Sequence, residues 1–344
     1  MPIRFVLLGV VVLCVLPAAV AASTVSSDGS TVTFRSGADR SDLVMTVVPQ
    51  WAYAVVDTAS PLRAGTGCRV GPPVACPGLD VDVALGPGDD RSSVLGFFSQ
   101  LVRGGEGNDM ILAGGQTTVV YGGPGDDSLR LSANGSGSGY GNDGNDSLYG
   151  RGSAITLAGG DGDDLAVAEG ETESVVSGND GFDTVTAYVG RHSGRATLTG
   201  GDGYDLIAVL DDGTAHPGDS VSTLEGGPGD DTMLGGPGRD GVAGGAGNDA
   251  IDVSGDGAAD TVECGGGYDI VWHDPEDTVA RNCEGRRDGP MTHTADVDEK
   301  LAAAAQFRAA LFEQSARDPV LAPSAGGQPL GVDPVLRTVL GLRA

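Results

Sequence analysis

The sequence predicts an all-β chain wound as a parallel β-roll, a β-solenoid of short coils. Three observations carry that expectation. A nine-residue phrase recurs through the middle of the chain and stands in unbroken tandem at 226–252, as GGPGDDTML, GGPGRDGVA and GGAGNDAID. The acidic residue at its sixth place returns along the chain in steps near eighteen, two phrases at a time. The large aliphatic residue two places later recurs with it, as the start of a short strand whose side chain points into a core. Each such unit can bury its apolar face only against a neighbour, which is the condition that produces stacked coils.

The phrase is G-G-x-G-x-D-x-U-x, with U a large aliphatic residue. Further full copies begin at Gly104 (GGEGNDMIL), Gly122 (GGPGDDSLR) and Gly200 (GGDGYDLIA). Weaker copies are Gly86 to Asp90, Gly141 to Tyr149, Gly159 to Val167, Gly178 to Thr186, Gly255 to Glu263 and Cys264 to Trp272. The sixth-position residues are Asp90, Asp109, Asp127, Asp146, Asp164, Asp183, Asp205, Asp231, Asp240, Asp249, Asp260 and Asp269. Glycines let the backbone turn tightly and leave carbonyl oxygens uncovered. One Asp adds a charged oxygen, and calcium takes six to eight hard oxygen ligands. The residue types therefore point to calcium held in the turns.

From Asp90 to Asp183 the steps are 19, 18, 19, 18 and 19 residues, one full coil each. Successive Asp loops then share one edge of the roll, about 4.8 Å apart. The opposite edge reads as degenerate turns, such as Gly114-Gly115-Gln116 and Asn134 to Gly139. From Asp231 the steps shorten to 9 and 9, which puts Asp231 and Asp249 on one edge and Asp240 on the other. A one-sided ladder is expected first and a two-sided one later. Steps of 22 and 26 around Asp205 mark loop insertions, the longest at 208–224.

Over roughly residues 85–284 the chain resembles the RTX, or hemolysin-type, calcium-binding repeat proteins, most of all the small secreted ones of high-GC Gram-positive bacteria. The stretch Asp269 to Glu284 (DIVWHDPEDTVARNCE) resembles the way such proteins end their repeats. The resemblance implies a roll that folds only with calcium. It also implies ions held by the sixth-position carboxylates and by loop carbonyls of vertically adjacent turns. That adds Gly105, Gly107, Gly123, Gly125, Gly160, Gly162, Gly201, Gly203, Gly227, Gly229, Gly236, Gly238, Gly245 and Gly247 to the ligand set. Asn142, Asn179 and Asp256 replace glycine at position two and Ala258 stands at position four, so the carbonyl geometry there is expected to differ. Where two acids adjoin, as at Asp126/Asp127, the second is expected on the ion and the first in solvent.

The remaining elements follow in order. Residues 1–22 read as a secretory leader: Arg4, then the apolar stretch Phe5 to Leu16, then an A-x-A pattern ending at Ala21. A soluble product outside the cytoplasm is expected, secreted or associated with the cell surface, with no transmembrane segment in the mature chain. Residues 23–84 lack the repeat. Thr31 to Phe34, Leu43 to Val48 and Trp51 to Val56 read as strands of a β-rich cap. Residues 85–284 form the roll. Its inward residues are Ile111, Leu129, Leu148, Val185, Ile207, Met233, Val242, Ile251, Val262 and Val271, with second strands at 118–120, 155–157 and 174–176. Residues 285–344 form a helical and flexible tail. Asp296 to Arg317 reads as a helix capped by Thr294 or Asp296, with Val297, Leu301, Ala304, Ala305, Leu311 and Phe312 on one face. Pro319, Pro323 and Pro329 break the chain, and Asp333-Pro334 opens a last helical turn. The tail is expected to be mobile or to cover the final coil; docking to a partner is the sharper alternative.

Four cysteines remain after leader removal. Cys68 and Cys76 lie eight apart, and Cys264 and Cys283 nineteen apart, one coil, which stacks them at disulfide distance. Disulfides Cys68–Cys76 and Cys264–Cys283 are expected; neither pair has the spacing of a metal site. The formal charge of −28 makes nucleic acid and anionic membrane unsuitable partners. His192, His216, His273 and His293 are scattered, and neither H-E-x-x-H nor G-x-S-x-G occurs. Carboxylates in every loop fit ligation rather than catalysis, so no enzyme is expected. The expected role is calcium binding in a structural or adhesive extracellular protein, its partner a surface or matrix polysaccharide or protein. The alternative is a carbohydrate-binding or carbohydrate-acting protein that uses the roll as a scaffold.

Overall fold

The computed structural model describes residues 22–37, 40–48, 52–59, 61–69, 73–190, 194–213 and 220–317. The leader up to Ala21, Trp51 and the proline-rich segment with the expected turn at Asp333-Pro334 lie outside the described residues.

The chain starts with six strands of mixed direction: β1 (Ser23–Ser27), β2 (Thr31–Arg35), β3 (Asp42–Val48), β4 (Ala52–Asp57), β5 (Leu62–Ala64) and β6 (Val74–Pro77). β1 pairs antiparallel with β2, and β4 antiparallel with both β3 and β6. The Cys68–Cys76 disulfide forms here, with a Cα separation of 4.4 Å.

Every later pairing is parallel. The strands are β7 (Asp80–Pro87), β8 (Arg91–Leu95), β9 (Ser99–Glu106), β10 (Met110–Gly114), β11 (Thr117–Pro124), β12 (Ser128–Ser132), β13 (Ser136–Asp143), β14 (Ser147–Asp161), β15 (Leu165–Asp180), β16 (Thr184–Val189) and β17 (Arg195–Asp202). They continue as β18 (Leu206–Asp211), β19 (Val221–Pro228), β20 (Thr232–Leu234), β21 (Arg239–Ala246), β22 (Ala250–Asp252), β23 (Thr261–Gly266), β24 (Ile270–His273), β25 (Thr278–Val279) and β26 (Gly285–Asp288).

They build two walls. One wall follows each main-edge Asp loop and stacks β3, β8, β10, β12, β14, β15, β16, β18, β20, β22, β24 and β26. The other precedes that loop and stacks β2, β7, β9, β11, β13, β14, β15, β17, β19, β21, β23 and β25. β14 and β15 belong to both walls, because they turn the corner opposite the Asp loops without leaving the strand; the register shifts there between Gly152 and Ala154.

Period-two alternation sends one residue column of each wall inward. On the first wall Ile111, Leu129, Leu148, Ala166, Val185, Ile207, Met233, Ile251 and Val271 lie in register and are buried. On the second, Val83, Val102, Val120, Leu157, Val176, Leu198, Leu224, Val242 and Val262 do the same. The cap joins this core: Val25, Phe34, Met45 and Tyr53 belong to the same buried cluster as the coils. At the far end the Cys264–Cys283 disulfide, with a Cα separation of 5.3 Å, ties the last coil to the one before.

One expectation is corrected. The helix α1 (Ala295–Arg317) forms where the periodicity placed it, with Thr294 Oγ1 accepting from Val297 N–H at 3.4 Å. It does not cover the final coil. It folds back along the first wall and packs on β14, β15, β16 and β18, where Ala304 and Phe307 meet Tyr149, Leu165, Val167, Tyr188 and Leu210. Those positions are apolar on the outward side of the wall, so the wall supplied a second seat that the helix sequence alone did not reveal. Phe307, absent from the expected face, is part of the contact, while Ala305 is exposed.

Two substitutions separate core from surface. Leu148→Ala removes a fully buried side chain and is expected to cost about 2–5 kcal/mol. Met110→Ala alters an exposed one in a neighbouring strand and is expected to stay within about 0.5 kcal/mol. Denaturant midpoints in saturating calcium measure both.

Candidate metal sites at the loop edges

Each main-edge phrase ends one second-wall strand, turns, and starts the next first-wall strand, and the phrases of Asp240 and Asp260 turn from first wall to second. At Gly123 and Gly125 the turn takes φ of 129° and 135°, a region that L side chains rarely adopt. A Cβ on Gly123 would stand 1.8 Å from the carbonyl oxygen of Gly105 in the coil below, so glycine is required for close stacking as well as for φ. Asn142 and Asn179 take the same backbone, with φ of 86° and 85°. Asparagine tolerates this region better than other side chains, so the turn survives at Asn142 and Asn179, whereas Asp256, the third replacement, does not take a positive φ.

The sixth-position carboxylates form a continuous ladder. Asp90 N–H donates to Asp109 Oδ1 at 2.9 Å, Asp109 N–H to Asp127 Oδ1 at 2.7 Å and Asp127 N–H to Asp146 Oδ1 at 2.7 Å. The pattern continues through Asp164, Asp183, Asp205, Asp231, Asp249 and Asp269. The longer steps on either side of Asp205 do not break it. It begins at Ser41, whose N–H donates to Asp90, and ends at Glu284, whose Oε2 accepts from Asp269 N–H at 3.1 Å.

A second, shorter ladder occupies the opposite edge: Asp240 N–H donates to Asp260 Oδ1 at 2.8 Å and Asp260 N–H to Asp277 Oδ1 at 3.0 Å. Among the described residues, that edge has no sixth-position Asp of the repeat before Asp240. A Cβ on Gly236 would meet the Val209 carbonyl and one on Gly238 would meet Ser220.

On the main edge one carboxylate oxygen is thus satisfied in each rung and the other is not; at Asp240, which opens the second ladder, neither is. Oδ2 of Asp90, Asp109, Asp127, Asp146, Asp164, Asp183, Asp205, Asp231, Asp240, Asp249, Asp260 and Asp269 is buried without a hydrogen-bond partner. An orphaned buried carboxylate oxygen is costly, and ten in register on the main edge, with two more on the opposite edge, fit ligation of a cation. The surroundings fit one. The point that a Cβ on Gly104 would occupy lies 2.0 Å from Asp109 Oδ2 and 2.5 Å from the Gly122 carbonyl oxygen in the next coil. The same convergence recurs at Gly122 with Asp127 and Gly141, and at Gly141 with Asp146 and Gly159. Position-one glycine therefore clears a cradle of carboxylate and carbonyl oxygens. Among the described residues no three His, Cys, Asp or Glu side chains converge as a metal-binding group. The donor set is one carboxylate with backbone carbonyls, all hard oxygen, which suits calcium and not a softer metal.

Burial pushes these carboxyls up: to about 6 for Asp90, Asp146 and Asp249, to about 7 for Asp109, Asp164, Asp183, Asp231 and Asp260, and to about 8 for Asp127. Asp240 goes furthest, to about 9, through burial and then the charge of Asp260. At Asp183 and Asp205 burial again dominates, and the Lys300 ammonium on α1 opposes it.

Sequence reasoning missed three features. Ser41 carries no motif. Glu284 and Asp277 stand outside the glycine frame, although Asp277-Thr278-Val279 keeps the D-x-U step. The fifth-position residues form an outer ladder of their own. Asn108 N–H donates to Asp89 Oδ1 at 2.9 Å, Asp126 N–H to Asn108 Oδ1 at 3.1 Å, Asn145 N–H to Asp126 Oδ1 at 2.9 Å and Asp163 N–H to Asn145 Oδ1 at 3.0 Å. The first acid of each doubled pair is exposed, yet it serves the backbone of the next coil.

Comparison with known proteins agrees with this geometry. The family model for the RTX calcium-binding nonapeptide repeat (4 copies) matches residues 98–129 and 218–251. No curated protein and no solved structure matches the chain. The chain carries RTX repeats, which bind multiple calcium ions and shape a β-roll. Among the described residues no helix is long and apolar enough to cross a membrane.

A pH dependence follows for the metal-free chain. Unfolded, these carboxyls titrate near 3.8; folded, they hold protons up to about 6 to 8. The folded state binds more protons between those values, so stability falls as pH rises through that window. In chelator the β signal in circular dichroism is expected to be stronger at about pH 5 than at about pH 8. Excess calcium is expected to reverse the slope, because ligation needs the deprotonated carboxylate.

Proposed function

We propose that the roll is an extracellular structural element whose coils are held together by calcium at the carboxylate ladders. The observation that carries this reading is the in-register column of buried, unpartnered Oδ2 atoms, with a carbonyl oxygen of the next coil converging on the same point at Asp109, Asp127, Asp146, Asp205, Asp231 and Asp249. On the main edge the ligands are Asp90, Asp109, Asp127, Asp146, Asp164, Asp183, Asp205, Asp231, Asp249 and Asp269. The turn glycines Gly105, Gly107, Gly123, Gly125, Gly160, Gly162, Gly201, Gly203, Gly227, Gly229, Gly245 and Gly247 supply carbonyls. Asp240 and Asp260, with Gly236 and Gly238, serve the opposite edge.

Calcium supplies positive charge where the fold has gathered carboxylates. By mass action a site at ten times its Kd contributes about 1.4 kcal/mol to the folded state. The core is narrow and the chain holds 59 glycines, which raise the conformational cost of folding. Many such sites together offset that cost. Extracellular calcium modules bind at about 10⁻⁴–10⁻³ M, so a chain of this kind stays unfolded where calcium is scarce and stiffens outside the cell. The leader-like residues 1–22 support export. Disulfides at Cys68–Cys76 and Cys264–Cys283 suit an oxidising compartment. An adhesive or matrix role, with a polysaccharide or protein partner, fits a stiff, acidic rod of this kind.

Circular dichroism of residues 23–344 during a calcium titration, with magnesium as control, tests the reading. A cooperative gain of β signal with calcium alone, reversed by chelator, is expected; a chain fully folded in chelator would overturn it. Asp127→Asn is expected to raise the calcium midpoint. Asp126→Asn, in an exposed position on the same loop, is expected to change it far less.

A further inference from the structure

In a solenoid each coil touches only its neighbours, so coils far apart are coupled only through those between them. One element here breaks that rule. After β26 the chain reverses. Met291 N–H donates to Asp252 Oδ2 on β22 at 3.0 Å, and sixteen residues later Phe307 meets Tyr149 on β14, ring centroids 6.4 Å apart and nearly perpendicular. Between those strands the first wall passes through β20, β18, β16 and β15. Five strand spacings are about 24 Å; the twelve helical steps from Ala295 to Phe307 rise about 18 Å, and the four non-helical residues from Met291 to Thr294 can cover the rest at up to about 3.3 Å each. The helix therefore lies across the coils, along the stacking axis.

Its contacts are specific. Ala304 is fully buried against the wall, with Phe307 beside Tyr149, Val167 and Leu210. Arg308 lies over the Tyr188 ring at 4.1 Å and pairs with Glu169, which also faces Arg151 at 3.8 Å. These groups sit on different coils: Tyr149 on β14, Glu169 and Val167 on β15, Tyr188 on β16, Leu210 on β18. None belongs to the continuous inner core, which forms a separate cluster. The seat therefore exists only while these four coils are stacked in register.

We propose that α1, together with the Met291 segment that leads into it, is a strap that locks the coils from β14 to β22 into one cooperative unit, set by calcium and released with it. This rests on the calcium reading of the ladders. Loss of calcium from a single coil within the strapped span must break helix contacts as well as neighbour contacts. The strapped coils accordingly share one transition, whereas coils beyond the strap, around Asp90 and Asp109, respond by themselves.

Hydrogen exchange with mass spectrometry across a calcium titration tests this on the full chain, comparing peptides from β14–β18 with peptides from β8–β10. In the wild type the strapped peptides are expected to lose protection together, at about half or less of the calcium concentration at which β8–β10 loosen. Phe307→Asp places a charge in the helix seat and leaves the inner core untouched. It is expected to erase that difference and to expose α1, while protection in saturating calcium persists in the inner strands. Arg308→Ala, a milder change on the outer surface, is expected to shift the midpoint in the same direction. A wild type that responds to calcium with both variants superimposable on it overturns the strap alone. Protection indifferent to calcium in every chain overturns the calcium reading and the strap with it.

Discussion

The structure depends on a main-edge carboxylate buried in each coil with only one of its two oxygens satisfied. Oδ1 accepts the backbone N–H of the coil below, which fixes the rise and the register of the turn. Oδ2 is aimed into a space lined by carbonyl oxygens and has no proton to accept. The first bond makes the ladder a piece of architecture, and the second oxygen makes that architecture conditional. Glycine at position one follows from it, since any side chain there would fill the space into which Oδ2 points. Glycine or asparagine at position two follows from the turn that brings the next Asp into line.

Much of this was legible because the motif carries its own spacing. A nine-residue phrase fixes strand, turn and ligand together, so the Asp steps could be read as coil heights and edges before any coordinates. The separate ladder at Asp240 was visible for the same reason, in two nine-residue steps. Legibility failed where function passed to residues outside the frame. Ser41, Asp277 and Glu284 extend or close the ladders through backbone and carboxylate hydrogen bonds that any Ser, Asp or Glu could make. Their roles come from position in three dimensions alone. The turn expected over Asn134 to Gly139 is shorter than that span, since Ser136 to Gly139 already belongs to β13, where backbone pairing with the coils above and below outweighs local glycine content.

The helix shows the same limit. Its existence, extent and cap followed from local pattern, as helix signals do. Its seat could not, because it depends on outward-facing Tyr149, Val167, Tyr188 and Leu210 from four coils, far apart in sequence and adjacent only after stacking. An amphipathic stripe records that a partner surface exists and says nothing of where it lies. The first wall, polar on its outer side at Ser128 and Ser147, turns apolar under the helix.

The outer ladder has a consequence for fidelity. Near-identical coils invite errors in which one is skipped and the next takes its place, since the inner aliphatic column would fit almost as well. Along the fifth positions the order is Asp89, Asn108, Asp126, Asn145, Asp163, so acid always faces amide. Skipping a coil would set Asp89 against Asp126, two like charges about 4.8 Å apart. Over these five coils the alternation acts as a parity check on assembly: a stack that has dropped one coil pairs like with like, and a correct one sets acid against amide.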